Sequence, residues 1–180
     1  QIMSNIKQFR LAVEKAKILS QKGKIVLFGV LPNTPDTGYG YIKSQTAFKK
    51  GELKGLEIDK FIEKPDLNTA KELIKDKSYT WNSGIFLFKA SNLLNEVQNI
   101  YPEMLLKCKK CLNKVTSDLD FYRLDRQLFG EIPDFSFDVG IMEKTNLGTV
   151  LPLEAGWSDI GNWNSVWKAS KKDKNSNYIK

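Results

Sequence analysis

Histidine is absent from all 180 residues. Its absence excludes, within this chain, Ser-His-Asp and Cys-His catalysis and any metal site built on imidazole. General acid–base work would fall to carboxylates, lysine or tyrosine, or the chemistry needs none. Cysteine is scarce as well: Cys108 and Cys111 form a single C-K-K-C pair inside Met104–Val115, which reads as helix. One such pair lacks the second set of ligands that a structural zinc site needs. Two lysines could lower a thiol pKa, so thioredoxin-like redox chemistry is the alternative, but no strand-to-helix opening surrounds the pair. The spacing reads as two reduced cysteines. No apolar run approaches the roughly 20 residues of a membrane helix. The N-terminus also lacks the charged-then-apolar pattern of a signal peptide. The expectation is a cytoplasmic α/β chain with no membrane partner.

An apolar share of 41%, with four Trp, six Tyr and ten Phe, argues against disorder. The length suits one domain, and folding at this size removes roughly 70% of the chain's surface from water. The charge is +7, from 28 Lys+Arg against 21 Asp+Glu, and it comes mostly from scattered lysines. Nucleic acid would call for clustered Lys/Arg interleaved with aromatics, so it is not expected as a partner. Phosphorylated small molecules fit a dispersed positive surface.

The apolar spacing of Phe9, Val13, Ala16 and Leu19 predicts a helix over Lys7–Ser20, ended by Gly23. Ile25–Val30 reads as a buried strand, Leu31–Gly38 as a loop, Tyr39–Ile42 as extended and Lys49–Glu52 as a turn. Leu56–Ile62 reads as a strand halted by Lys64-Pro65, followed by a short helix to Ile74 capped by Asn68 or Thr69. Gly84–Phe88 is strand-like, then helices are predicted over Ala90–Ile100, Pro102–Val115 and Asp118–Phe129. Leu147–Leu153 returns to strand and Ile160–Ala169 to helix, and the Lys/Asn-rich tail, Lys171–Lys180, reads as mobile or as leading into a further segment. Strands alternating with helices indicate an α/β sandwich with a parallel or mixed sheet, and Lys7–Ala169 reads as one domain.

Five stretches concentrate Gly, Trp, Asn and paired charges. In Thr37-Gly38-Tyr39-Gly40-Tyr41-Ile42, two glycines around an aromatic permit close backbone approach to a ligand, or simply a turn into a strand. In Phe61-Ile62-Glu63-Lys64-Pro65, adjacent Glu63 and Lys64 offer a hydroxyl acceptor beside a phosphate-binding ammonium, or a solvated ion pair. Trp81-Asn82-Ser83-Gly84-Ile85-Phe86 places the Asn82 amide before a strand, suited to sugar hydroxyls or to turn capping. Ser136–Thr145 contains Glu143 and Lys144 and reads otherwise as a helix capped by Ser136 or Asp138. Gly156–Trp163 puts Asp159 in a tight turn between aromatics, either as a helix cap or as a ligand for Mg²⁺, which takes only one or two protein carboxylates plus substrate phosphates.

Together, the order and spacing of TGYGYI, FIEKP, WNSGIF, SFDVGIMEKT and GWSDIGNW resemble the sugar-phosphate nucleotidyltransferases, nearest the bacterial mannose-1-phosphate guanylyltransferases often fused to a phosphomannose isomerase domain. The family's Gly-rich triphosphate loop and its Ala-Asp-His stretch are not in this sequence. The resemblance therefore implies a Rossmann-like nucleotidyltransferase sandwich with a mixed sheet and without its N-terminal part, a single incomplete domain over 1–180. It implies transfer from GTP to mannose 1-phosphate, giving GDP-mannose and pyrophosphate for polysaccharide precursors, with these residues inactive when alone. It assigns Asp159 to Mg²⁺, Lys64 to the sugar-linked phosphate, Glu63 and Asn82 to mannose hydroxyls, and the Gly40 backbone and Tyr39 to the pocket wall. Glu143 and Lys144 match a family motif as substrate contact or scaffold. A non-catalytic sugar-nucleotide-binding module and a transferase for another sugar 1-phosphate are the alternatives. An isomerase site is excluded by the lack of histidine. A homo-oligomer, and a fused isomerase domain outside the chain, both stay open.

Overall fold

The structure, a computed structural model, describes residues 1–178. Its centre is the apolar run Ile25–Val30 (β2), in which Ile25, Val26, Leu27 and Phe28 are all but inaccessible to water. A strand apolar on both faces needs cover on both. Ile25 and Leu27 pack with Ile42, Phe61, Ile141, Met142 and Val150. Val26 and Phe28 face Ala12 and Ala16 of helix α1 (Ile6–Gln21), together with Leu151 and Leu153. Asn5 caps α1 by accepting from Gln8 N at 3.1 Å, after the two-residue strand β1 (Ile2–Met3). Gly23, at φ +92°, turns the chain out of the helix.

Around β2 the sheet is mixed. β5 (Tyr79–Leu87) runs antiparallel to it, and β8 (Gly148–Pro152) parallel. β3 (Tyr41–Ser44) lies between β5 and β4 (Leu56–Ile62), antiparallel to both. Antiparallel pairing of Leu56 and Glu57 with Val150 and Thr149 joins β4 to β8 and closes the sheet on itself. Helix α2 (Leu67–Leu73) follows β4 and buries Ala70 against Tyr41, Tyr79 and Trp81. After β5 come α3 (Ala90–Ile100) and α4 (Pro102–Asn113), the hairpin β6–β7 (Thr116–Asp118 and Phe121–Arg123), α5 (Arg126–Gly130) and a π-helical turn over Asp138–Met142. β9 (Trp157–Ser158) pairs with β1 and leads into α6 (Trp163–Ala169).

Several expectations are corrected. Asp66, not Asn68 or Thr69, caps α2: its Oδ1 accepts from the amides of both at 2.9 and 3.0 Å. Residues 118–129 are not one helix, because Leu119 is left-handed (φ +54°) and the β-forming Phe121 and Tyr122 pair back on Ser117 and Asp118. The strand expected from Gly84 starts at Tyr79, since Tyr79, Thr80 and Trp81 are themselves strand formers. Gly84 sits at φ +68° where the β2–β5 register shifts, so it marks a bulge and not the strand's beginning. The last helix starts at Trp163 with Asn162 as its cap, leaving Asp159 outside it. In the stretch that follows Ser170, Asp173 accepts from the amides of Asn175 and Asn177, and Trp167 Nε1 donates to Ser176 O at 3.1 Å, while residues 179 and 180 of the expected tail lie outside the described residues. Both cysteines are reduced, and burial pushes the Cys111 thiol further above its ordinary range.

Buried Tyr41 ties the loop to the sheet by donating from its hydroxyl to Asp36 O at 2.9 Å. Tyr41→Phe should cost about 1 kcal/mol in urea unfolding. It should also raise amide exchange at Gly38, whose N–H is held by Asp36 Oδ1 at 2.8 Å. Unchanged exchange there would show that the hydroxyl does not anchor the loop.

Candidate active site

Strand register brings the candidate residues together. Tyr41 pairs with Ile62 on one side and Trp81 on the other, so Gly40, Glu63 and Asn82 arrive at the same end of the sheet. Asn82 N donates to Gly40 O at 2.7 Å. β9 carries Asp159 to the same end, and the π-helical turn brings Asp138. Gly38, Tyr39, Gly40, Glu63, Lys64, Asn82, Asp138, Trp157 and Asp159 line one open cleft of about 160 Å³, together with Gln1, Ser83 and Gly84.

The bare backbone of Gly40 leaves room for the Glu63 carboxylate in the position it takes. A side chain there would begin 2.7 Å from Glu63 Oε2 and 3.1 Å from Phe61 Cζ. Glu63 and Lys64 lie beyond the end of β4, and Lys64 takes the left-handed φ of +43° just before Pro65. That turn frees the pair from strand alternation, so both side chains face the cleft. Lys64 Nζ lies 3.0 Å from Glu63 Oε1, and this bond, followed by the charge of Glu63, holds the ammonium above the ordinary lysine range.

Asn82 projects from the strand beside the bulge, where backbone irregularity re-aims a side chain. Its Oδ1 accepts from Gly84 N at 2.9 Å, and its Nδ2 donates to Asp138 Oδ1 at 2.8 Å. Burial, then the charge of Glu63, raise the Asp138 carboxyl above its ordinary range, against the Asn82 bond and Lys64. The Tyr39 ring meets those of Trp81 and Trp157 at 5.1 and 5.3 Å, forming an aromatic wall. Burial first, then Asp36 and Asp159, push its phenol up. Trp157 is held by Gln1, whose Oε1 accepts from its Nε1 at 3.1 Å.

Asp159 follows β9 directly and precedes Ile160, a β-branched residue at φ +57°. Such a conformation is strained and persists where the surroundings enforce it. A side chain at Gly161 would begin 2.5 Å from Asp159 Oδ2, so that glycine also makes room for the carboxylate. Among the described residues no group of three or more acidic or thiol side chains is placed to hold a metal. The donor set suits Mg²⁺ only as part of a shared site, with Asp159 giving one carboxylate and substrate phosphates the remainder.

Tyr39, Gly40, Glu63, Lys64, Asn82 and Asp159 thus line one cleft. Glu143 and Lys144 do not join them. They line a separate surface with Asp59 and Lys60, and Lys144 donates to the Tyr101 hydroxyl at 2.6 Å. Of the two residues expected to cap this turn, Ser136 is the one that accepts, from Val139 N at 3.3 Å, and Asp138 faces the cleft instead.

The chain belongs to the nucleotidyl transferase family, whose model matches residues 2–176. Among its relatives, it is 42% identical to mannose-1-phosphate guanylyltransferase RfbM of Salmonella typhimurium, over 96% of this chain and 35% of that protein. It is 39% identical to the alginate biosynthesis protein AlgA of Pseudomonas syringae, over 99% of this chain and 37% of that one. The crystal structure of mannose-6-phosphate isomerase from Helicobacter pylori superposes with a TM-score of 0.76 at 31% identity, covering 88% of this chain and 61% of that one. The chain spans little more than a third of the length of these two curated relatives.

The raised Asp138 carboxyl makes stability depend on pH. A native value above the unfolded one contributes stability at low pH that is lost as pH rises through the native value. Asp138→Asn removes this titration and keeps an acceptor for Asn82. Its melting temperature should match the unmodified protein below about pH 4, where the carboxyl is protonated in both states, and exceed it by roughly 2 °C near neutrality. A difference that is flat from acid to neutral pH would contradict the assignment.

Proposed function

We propose that this cleft binds mannose 1-phosphate and that the full-length protein joins it to GTP, forming GDP-mannose and pyrophosphate for polysaccharide precursors in the cytoplasm. The observation that carries the reading is the convergence of hydroxyl acceptors (Glu63, Asn82) with an ammonium (Lys64) and a separate carboxylate (Asp159) in one cleft. The names of the relatives support the choice of sugar and base. A sugar-nucleotide-binding module without turnover, or another sugar 1-phosphate as substrate, would use the same contacts.

The sugar-phosphate oxygen attacks the α-phosphorus of GTP in line. A new P–O bond forms as the bond to pyrophosphate breaks, and the electron pair leaves with the pyrophosphate oxygen. The attacking group is already ionised near neutral pH, so no histidine base is needed. Lys64 neutralises the sugar phosphate and orients it. Glu63 accepts a ring hydroxyl, and the wall of Tyr39, Trp81 and Trp157 excludes water from one side. Bound Mg²⁺, which Asp159 would hold, supplies charge stabilisation at the reacting phosphates.

In the full-length protein, Asp159→Asn should lower turnover by more than about 100-fold with an unchanged circular dichroism spectrum. Near-normal turnover at ordinary Mg²⁺ would sink the metal assignment.

Glu63 and Lys64 should separate by substrate. Lys64→Gln is expected to reduce transfer about tenfold both for mannose 1-phosphate and for an analogue lacking one ring hydroxyl. Glu63→Gln should narrow the gap between the two sugars. Equal scaling of both sugars by both variants would mean the pair is a solvated surface dipeptide.

A further inference from the structure

Asp138 opens a π-helical turn, a rare element found disproportionately at functional sites. The cap position of this turn is Phe137, and Val139 N is satisfied by Ser136 Oγ, so the Asp138 carboxylate caps none of the turn's later amides. Instead it reaches a residue 56 positions away, Asn82, at 2.8 Å. The location is unfavourable for a charge, being half-buried and facing Glu63. A half-buried carboxylate that faces a second carboxylate breaks a local rule where a function would justify it.

The consequence falls on Asn82. A carboxamide can be turned by half a rotation, which exchanges donor and acceptor. Here Gly84 N presents a donor to one end and Asp138 an acceptor to the other, so one orientation is stabilised at both ends. One Nδ2 hydrogen and one Oδ1 lone pair remain for the cleft. Those two, on fixed sides, read a pair of adjacent hydroxyls by their arrangement.

We propose that Asp138 is a positioning residue for sugar selection, which locks the Asn82 amide in the single orientation that presents its remaining donor and acceptor to neighbouring hydroxyls of a sugar 1-phosphate. This rests on the reading that the cleft takes such a substrate. A residue that only held the turn together would change stability, with no effect on discrimination between epimers.

The test measures KM and kcat of the full-length protein with mannose 1-phosphate and with its 2-epimer, glucose 1-phosphate. Asp138→Leu should raise KM for mannose 1-phosphate about tenfold, leave kcat within threefold, and shrink the preference for mannose about tenfold. In an Asn82→Ala background the same substitution should change the preference no further, because the two residues act as one unit. The exchange Asn82→Asp with Asp138→Asn supplies the arm that survives if Asp138→Leu fails to fold. It restores the bond with reversed polarity, so the melting temperature should recover while the sugar preference stays impaired. The proposal is overturned if Asp138→Leu keeps KM and preference, if its effect is as large without Asn82, or if the exchange restores selectivity along with stability. A wild-type protein that does not use mannose 1-phosphate overturns the underlying reading, and this proposal with it. That result is distinguished by the unsubstituted protein alone.

Discussion

Tyr41 is held in register on both sides, opposite Ile62 in β4 and Trp81 in β5, and is completely buried. Strand ladders are stiff, and a slip of one residue would reverse every side chain between core and surface. That double pairing therefore sets the level at which Gly40, Glu63 and Asn82 emerge, each one residue beyond its paired neighbour. β2 supplies the support: because it is covered on both faces, β5 cannot shift against it without exposing Ile25 to Phe28. The cleft is thus an outcome of register, with rigid strands and not long loops placing its polar groups.

Of the four left-handed non-glycine residues among those described, two adjoin the cleft. Lys64 and Ile160 are both left-handed without being glycine, and each adjoins a candidate functional carboxylate. For a β-branched residue such as Ile160 the cost is on the order of 1–3 kcal/mol, and the pairing of β9 with β1 helps enforce it. The bulge at Gly84 and the π-helical turn at Asp138 belong to the same pattern. The two meet in the hydrogen bond between Asn82 and Asp138.

Charge is distributed on two scales. The chain carries a net +7 from dispersed lysines, which favours the approach of anionic substrates over distance. The cleft itself inverts that balance, with Glu63, Asp138 and Asp159 around the Lys64 ammonium. An acceptor-rich surface beside one cation matches a molecule that has hydroxyls at one end and a phosphate at the other.

The sequence by itself determined the mixed α/β class, the bounds of β4 and of α3, and the glycine- and tryptophan-marked stretches that supply the cleft, because apolar periodicity and turn chemistry are local. It misassigned residues 118–129 and the start of β5, where strand pairing overrides a helical or turn-like pattern. Glu143 and Lys144 are an adjacent Glu-Lys pair like Glu63 and Lys64, open in the sequence between substrate contact and scaffold, and packing turns Lys144 onto Tyr101. Asp138 shows the same limit from the other side. In the sequence it is a plausible cap, and its role depends on an amide 56 residues away that only the closed sheet brings within 2.8 Å. Local propensity chose the elements. Which side chains share a cleft was decided by register and closure, since those depend on contacts between residues distant in the chain.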